Sequence, residues 1–241
     1  MNKHIDAERI NNTLFREGER KLLNFFVKIL PVRVMPDHLT GIGLVGSFMI
    51  FAGYALCNYS IYYLWLANAG FLVNWFGDSL DGSLARYRKI ERPLYGFFVD
   101  HNVDSISMLL IAFGLGLSPY MRFDIALYTL IGYYMLSIST YINAYVRGIF
   151  RISFAYLGPT EVRVFAIIGN TILFFIGKNI NIKIFSIEVT YLDLLGALVG
   201  TLFLIGYFIF YFKDRKEIAK IDPVKKPKLK NSRHTQEGKE T

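Results

Sequence analysis

Apolar residues dominate long stretches of this chain, and charges gather beside them rather than being spread evenly. A helix that crosses a bilayer needs roughly 20 mainly apolar residues. Six stretches fit, running from Leu39 to Cys57, Ser60 to Leu80, Leu94 to Leu117, Phe123 to Val146, Val162 to Gly177 and Val189 to Phe212. Only the turn-like Cys57-Asn58-Tyr59-Ser60 separates the first two, so they form an antiparallel hairpin. Upstream, from Ala7 to Leu30, the pattern changes: Ile10, Leu14, Leu22, Phe25, Phe26 and Ile29 recur near helical spacing, with Arg9, Arg16, Arg20 and Lys21 between them. This predicts an amphipathic helix, either on the inner leaflet or packed on the cytoplasmic face. The first 30 residues hold no apolar core of a cleavable signal peptide.

Charge tests the six-helix reading. With six alternating spans, 24 of the 27 Lys and Arg fall on one side and only Arg122, Lys178 and Lys183 on the other. The positive-inside rule then puts both termini and the loop after the second span in the cytoplasm. The expected fold is all-α and integral to the membrane, with six transmembrane helices and an N-terminal amphipathic interfacial helix. Residues 1–38 form the cytoplasmic amphipathic segment, 39–212 the six-helix catalytic domain, and 213–241 a basic cytoplasmic tail read as disordered and drawn to anionic lipid.

Composition agrees, with 53% hydrophobic, 16% aromatic and 19% charged residues. The net charge of +8 would also suit a nucleic-acid binder. No aromatic interleaves with Lys225-Lys226-Pro227-Lys228-Leu229-Lys230, however, so no nucleic-acid partner is expected. The lone Cys57 excludes an internal disulfide, and no Cys/His spacing marks a zinc site.

Four carboxylates then stand out, at the cytoplasmic ends of the second and third spans: Asp78, Asp81, Asp100 and Asp104. Each pair lies three or four residues apart on one helix face, and the faces can meet. An Asp at a helix centre costs roughly 2.5 to 3.5 kcal/mol, and four together also repel. Arg86 alone cannot neutralise them. Carboxylate and water oxygens suit Mg2+ or Mn2+, and four acids on two helices can hold two divalent ions. The small residues Gly82, Ala85 and Gly96 would admit a bulky nucleotide or the neighbouring backbone.

The pattern D-x-x-D-G-x-x-A-R, nine residues, G-x-x-x-D-x-x-x-D, from Asp78 to Asp104, resembles the signature of the CDP-alcohol phosphotransferases, the CDP-alcohol phosphatidyltransferase family. The resemblance implies that Asp78, Asp81 and Asp100 are metal ligands. Asp104 would lie at the second metal and take the acceptor's proton, while Gly82, Ala85 and Arg86 would border the donor nucleotide. Pro36-Asp37-His38-Leu39-Thr40 is similar to the family's P-N-x-L-T, with Asp37 in place of Asn, and puts Thr40 near the donor. The resemblance also implies a homodimer.

Further residues divide by position. Glu161 and Arg163 open a span on the cytoplasmic side, so one or both face the cavity. Arg147, Arg151 and Arg163 are candidates for an anionic group on the acceptor, or else are topology signals. His101 points about 100° away from Asp100 around the helix, which disfavours it as a ligand. Asp193 and Glu188 fall at the far end of the sixth span. Asn68, Asn74, Asn143 and Asn170 are helix-contact residues or cavity lining.

The expected function is metal-dependent transfer of a phosphatidyl group from a CDP-linked lipid donor, CDP-diacylglycerol, to an alcohol acceptor with release of CMP, in phospholipid biosynthesis. The alternative within the family is an aminoalcohol phosphotransferase using a CDP-amino alcohol donor and diacylglycerol. A membrane prenyltransferase fits less well, because its acids would form two separated clusters. A cation transporter also fits less well, because no comparable acids lie in the outer half of any span.

Overall fold

The computed structural model describes residues 8–10, 15–151, 158–177, 181–184 and 187–224. In order these form β1 (Glu8–Ile10), α1 (Arg16–Ile29), α2 (Pro36–Leu56), α3 (Tyr63–Arg88), α4 (Pro93–Leu117), α5 (Phe123–Arg147), β2 (Ile149–Arg151), α6 (Pro159–Ile176), β3 (Asn181–Ile184), β4 (Ile187–Thr190) and α7 (Tyr191–Ile221). Prolines open α2, α4 and α6. A missing N–H costs nothing in a helix's first turn, so proline fixes where each begins.

Among the described residues five helices, α2, α4, α5, α6 and α7, are long and apolar enough to cross a membrane. Their exposed surface is apolar too, with Phe48, Phe98, Ile131, Ile138, Phe165, Ile168, Leu198, Leu202 and Ile209 each at least about half exposed or close to it. In water such a surface would be an aggregation site; in a bilayer it is the face turned to acyl chains. The chain is a multi-pass, all-α membrane protein. Helix α3 has the length of a span, but its second half carries Asp78, Asp81, Arg86 and Arg88 and is less apolar.

Paired contacts set the direction of each helix. Glycines let α2 and α3 meet backbone to backbone: a Cβ on Gly46 would strike Asn74, one on Gly53 would strike Ala67, and one on Gly77 would strike Gly43. Residue numbers descend on α3 as they rise on α2, so the two are antiparallel. Ser47 donates to Ser107 at 2.8 Å and Gly114 abuts Phe51, so α4 runs parallel to α2. Thr129 reaches the Gly196 carbonyl and Arg147 reaches Asp214, so α5 and α7 run together. Asn68 pairs with Asn170 and Asp78 with Arg163, so α6 opposes α3. The starts of α2, α4 and α6 therefore share one end of the bundle with the finishes of α3, α5 and α7.

Polar residues along the spans act as joints. Tyr54, Asn68, Asn170 and Thr171 form one hydrogen-bonded group between α2, α3 and α6. At the far end Asp193 caps α7 reciprocally with Thr190 and also accepts the Arg122 N–H at 2.6 Å, which accounts for a nearly fully buried carboxylate. Cys57 is buried and free.

Two elements depart from the sequence expectation. Helix α1 begins at Arg16 rather than Ala7, because Glu8–Ile10 pair as a short parallel strand with Ile149–Arg151. Helix α7 passes Phe212 and continues to Ile221, because Asp214 is buried in a pair with Arg147 that keeps the helix against α5. Residues 225–241, the remainder of the predicted tail, lie outside the described residues. The buried side of α1 sets Leu23, Phe26, Val27 and Leu30 on Leu39, Phe76, Leu80 and Leu84, while Leu22, Phe25 and Ile29 stay exposed.

Candidate active site

Helix periodicity brings Asp78 near the end of α3 to the same level as Asp100 and Asp104 near the start of α4. Carboxylate oxygens of these three lie within 4.8 Å of one another, and all three residues are partly buried. At that spacing, with the effective dielectric of a protein, each pair of charges repels by about 3 kcal/mol. Arg163 offsets part of this, its Nη2 lying 2.6 Å from Asp78 Oδ2. Three carboxylates against one guanidinium leave a net negative pocket of hard oxygen donors. That is the donor set that suits a divalent cation such as Mg2+ or Mn2+.

Asp81 stands apart from that group of three. One of its oxygens accepts from Thr40 Oγ1 at 2.7 Å and the other from the Gly82 N–H. Thr40 is thereby tied to the acid motif, although 41 residues separate it from Asp81. Asp37, one turn earlier, accepts from the Tyr95 hydroxyl at 3.2 Å and lies 3.7 Å from Arg92, whose guanidinium stacks 3.6 Å above the Tyr95 ring. An aspartate here links the starts of α2 and α4.

Gly82 and Gly96 are not packing glycines. A Cβ on Gly82 would meet only the mobile end of Arg86, and one on Gly96 would meet nothing within 4 Å. Gly43, Gly46, Gly53, Gly70 and Gly77 are the ones that seat α2 on α3. Ala85 is half-buried, and Arg86 is exposed with its guanidinium 3.3 Å from Ser83 Oγ.

The arginines on this end differ. Arg147 spans to Asp214 at 2.7 Å and to Glu217, joining α5 to α7. Arg163 joins α6 to α3 through Asp78 and through Asn74, whose Oδ1 accepts from Nε at 2.8 Å. The Arg151 side chain is outside the described residues. Among the described residues Glu161 pairs with no arginine: it accepts the N–H of Phe15 at 2.9 Å and of Gly158 at 3.0 Å, closing the start of α6 and holding the chain before α1. His101 stacks on Phe97 at 4.1 Å and meets Tyr141 edge-on, with its Nδ1 3.6 Å from Asp100 Oδ2.

Sequence reasoning left one support of the site open and missed two. Asn74, expected as a helix-contact residue or cavity lining, lies one turn before Asp78 on the same face and holds Arg163. Glu19 on α1 gathers Trp75 at 3.0 Å, Ser79 at 3.2 Å and Thr160 at 2.6 Å, fastening α1 to α3 and α6. Arg88 donates to the carbonyls of Leu30, Pro31, Val32 and Val34, bracing the α1–α2 connection against the end of α3.

The archaetidylinositol phosphate synthase of Pyrococcus horikoshii is 36% identical over 107 residues, which cover 44% of this chain and 53% of that protein. The chain thus spans about half the length of the curated relative it matches. A family model described as CDP-alcohol phosphatidyltransferase matches residues 33–209, from just before α2 into α7 and across every aspartate of the site. The chain belongs to the CDP-alcohol phosphatidyltransferase family.

Proposed function

We propose that this protein transfers a phosphatidyl group from CDP-diacylglycerol to the hydroxyl of a phosphorylated polyol such as inositol phosphate, releasing CMP. The observation that carries the reading is the convergence of Asp78, Asp100 and Asp104 within 4.8 Å, inside the family's matched region. The name of the Pyrococcus relative, a synthase of a phosphorylated inositol lipid, supports the acceptor class.

Asp78, Asp100 and Asp104, with Asp81 beside them, would hold two divalent ions, Mg2+ or Mn2+. Bound there, such ions supply Lewis-acid stabilisation of charge on the transferring phosphate and the leaving CMP. The chain's own residues do the rest. Thr40 fixes Asp81, while Gly82, Ala85 and Arg86 leave room for the donor's nucleotide and diphosphate. Asp104 accepts the acceptor's hydroxyl proton as the new P–O bond forms and the bond to CMP breaks. Arg147, Arg151 and Arg163 are the side chains suited to the acceptor's phosphate, since a guanidinium grips phosphate with two parallel N–H bonds.

We read α3 as a sixth crossing, because it has the length of a span and α2, α4 and α6 all run antiparallel to it. The positive-inside count then supports a cytoplasmic position for both termini and the site. Leu22, Phe25 and Ile29, with Arg20, Lys21 and Lys28 nearby, would set α1 into the inner leaflet. A lipid donor would then reach the site laterally.

The test is CMP release by purified protein from CDP-diacylglycerol against inositol phosphate, glycerol phosphate, and the neutral inositol and glycerol. The reading expects a phosphorylated acceptor to be used at least about tenfold better than its neutral form. Equal use of the neutral alcohols would remove the acceptor assignment, and release only from a CDP-amino alcohol would replace the donor.

A further inference from the structure

Arg163 is nearly buried, at 8% exposure, and its three nitrogens have unlike fates. Nε is anchored on Asn74, which is itself fixed by donating to the Gly43 carbonyl and to Ser47 Oγ, both at 3.0 Å. Nη2 is on Asp78. Nη1 is buried and has no hydrogen-bond partner among the described residues. A buried guanidinium N–H left unmet is costly, more so because the group is charged, and that cost calls for an explanation.

Asp78 is also a member of the three-carboxylate cluster. A cation bound by that cluster and the Arg163 guanidinium would draw on the same carboxylate, and as like charges they would repel. The Asn74 anchor does not depend on Asp78, so the guanidinium would keep its place after losing that partner. Nη1 and Nη2 would then be two adjacent open donors beside the acids, the fork that matches a phosphate.

We propose that Arg163 and a divalent cation compete for Asp78, and that arrival of the cation hands the guanidinium over to a phosphate oxygen of a substrate. In the cation-free protein Arg163 holds the acid cluster together. In the loaded protein it is a phosphate-binding residue. This inference rests on the proposed cation site at Asp78, Asp100 and Asp104.

The experiment measures Mn2+ binding by the loss of the free-ion electron paramagnetic resonance signal, using purified full-length protein in detergent without substrate. The affinities of CDP and of inositol phosphate are then measured at saturating Mn2+. Arg163→Gln removes the competitor, so Mn2+ should bind about tenfold tighter, within the usual range of coupling between sites. CDP or inositol phosphate should bind about tenfold weaker, and the ligand affected identifies which phosphate the arginine takes. Opposite shifts are the signature, since damage to the scaffold would weaken both. Arg163→Lys guards against a glutamine variant that fails to fold. Its ammonium can still pair with Asp78 but cannot fork, so Mn2+ affinity should stay near wild type while the same phosphate ligand weakens. Unchanged or weaker Mn2+ binding in Arg163→Gln overturns the proposal, as does unchanged affinity for both phosphate ligands in Arg163→Lys. A wild-type protein that binds no Mn2+ removes the cation site itself, an outcome distinct from either of these.

Discussion

Thr40 Oγ1 donates to Asp81 Oδ2 at 2.7 Å, joining the first turn of α2 to the acid motif near the end of α3. The same hydroxyl lies 3.3 Å from the Pro36 carbonyl, so its orientation is set from both sides. Thr40→Val keeps the shape and removes the donor, leaving Asp81 free to turn. Turnover should fall by about 10- to 100-fold, the scale for losing an outer partner of a metal-site carboxylate. Thr40→Ser should retain most activity. Comparable rates for the valine and serine variants would reduce this bond to packing.

The glycines should separate into two kinds when substituted. Gly77→Ala puts a methyl into the Gly43 backbone and should lower the thermal stability of the purified protein sharply. Gly82→Leu meets only the end of Arg86, so the protein should fold while CDP affinity drops by tenfold or more, on the order expected for filling a ligand cavity. Thermal unfolding and nucleotide binding, measured together on both variants, decide between packing and donor contact.

Asp214 and Arg147 have side-chain exposures of 5% and 12%, so their pair is effectively internal. Removing one partner of such a pair costs about 3–5 kcal/mol, because the other is left buried and charged. Both Asp214→Asn and Arg147→Ala should therefore lower the melting temperature. Only Arg147→Ala should also raise the acceptor KM, since the asparagine variant keeps the guanidinium. An unmoved KM in both would leave Arg147 as a clamp between α5 and α7 alone.

Glu19 holds the indole N–H of Trp75, which gives α1 an optical reporter. In a Trp65→Phe background, Glu19→Ala should shift Trp75 emission to the red as α1 loosens and water reaches the ring. Arg88→Ala, which frees the Leu30 to Val34 carbonyls, should do the same. Unchanged emission in both variants would mean that α1 is seated by its apolar face alone.

Five of the six expected spans and the grouping of Asp78, Asp100 and Asp104 were legible in the sequence because both rest on local rules. Bilayer thickness dictates apolar length, and helical spacing puts Asp78 with Asp81 and Asp100 with Asp104 on shared faces. The Phe15 N–H on Glu161 and the Arg147–Asp214 pair were not legible, since each joins residues far apart in sequence and depends on which elements neighbour one another. Asp81 shows the same limit: its spacing puts it on the motif face, but the distant Thr40 determines where its carboxylate turns. Helix α1 was too long by its first turns because the competing strand partner, Ile149–Arg151, is remote in sequence.

The central claim is that a divalent cation held by the aspartates drives transfer to the acceptor hydroxyl. CMP release from CDP-diacylglycerol and inositol phosphate, followed with Mg2+ or Mn2+ and with EDTA, tests it most directly in the wild type and in Asp78→Asn, Asp81→Asn, Asp100→Asn and Asp104→Asn. Release in the wild type should depend on the cation and be lost in EDTA, and each variant should drop by at least about 100-fold. Sustained release in EDTA, or near-normal rates in any three of the four variants, would contradict it.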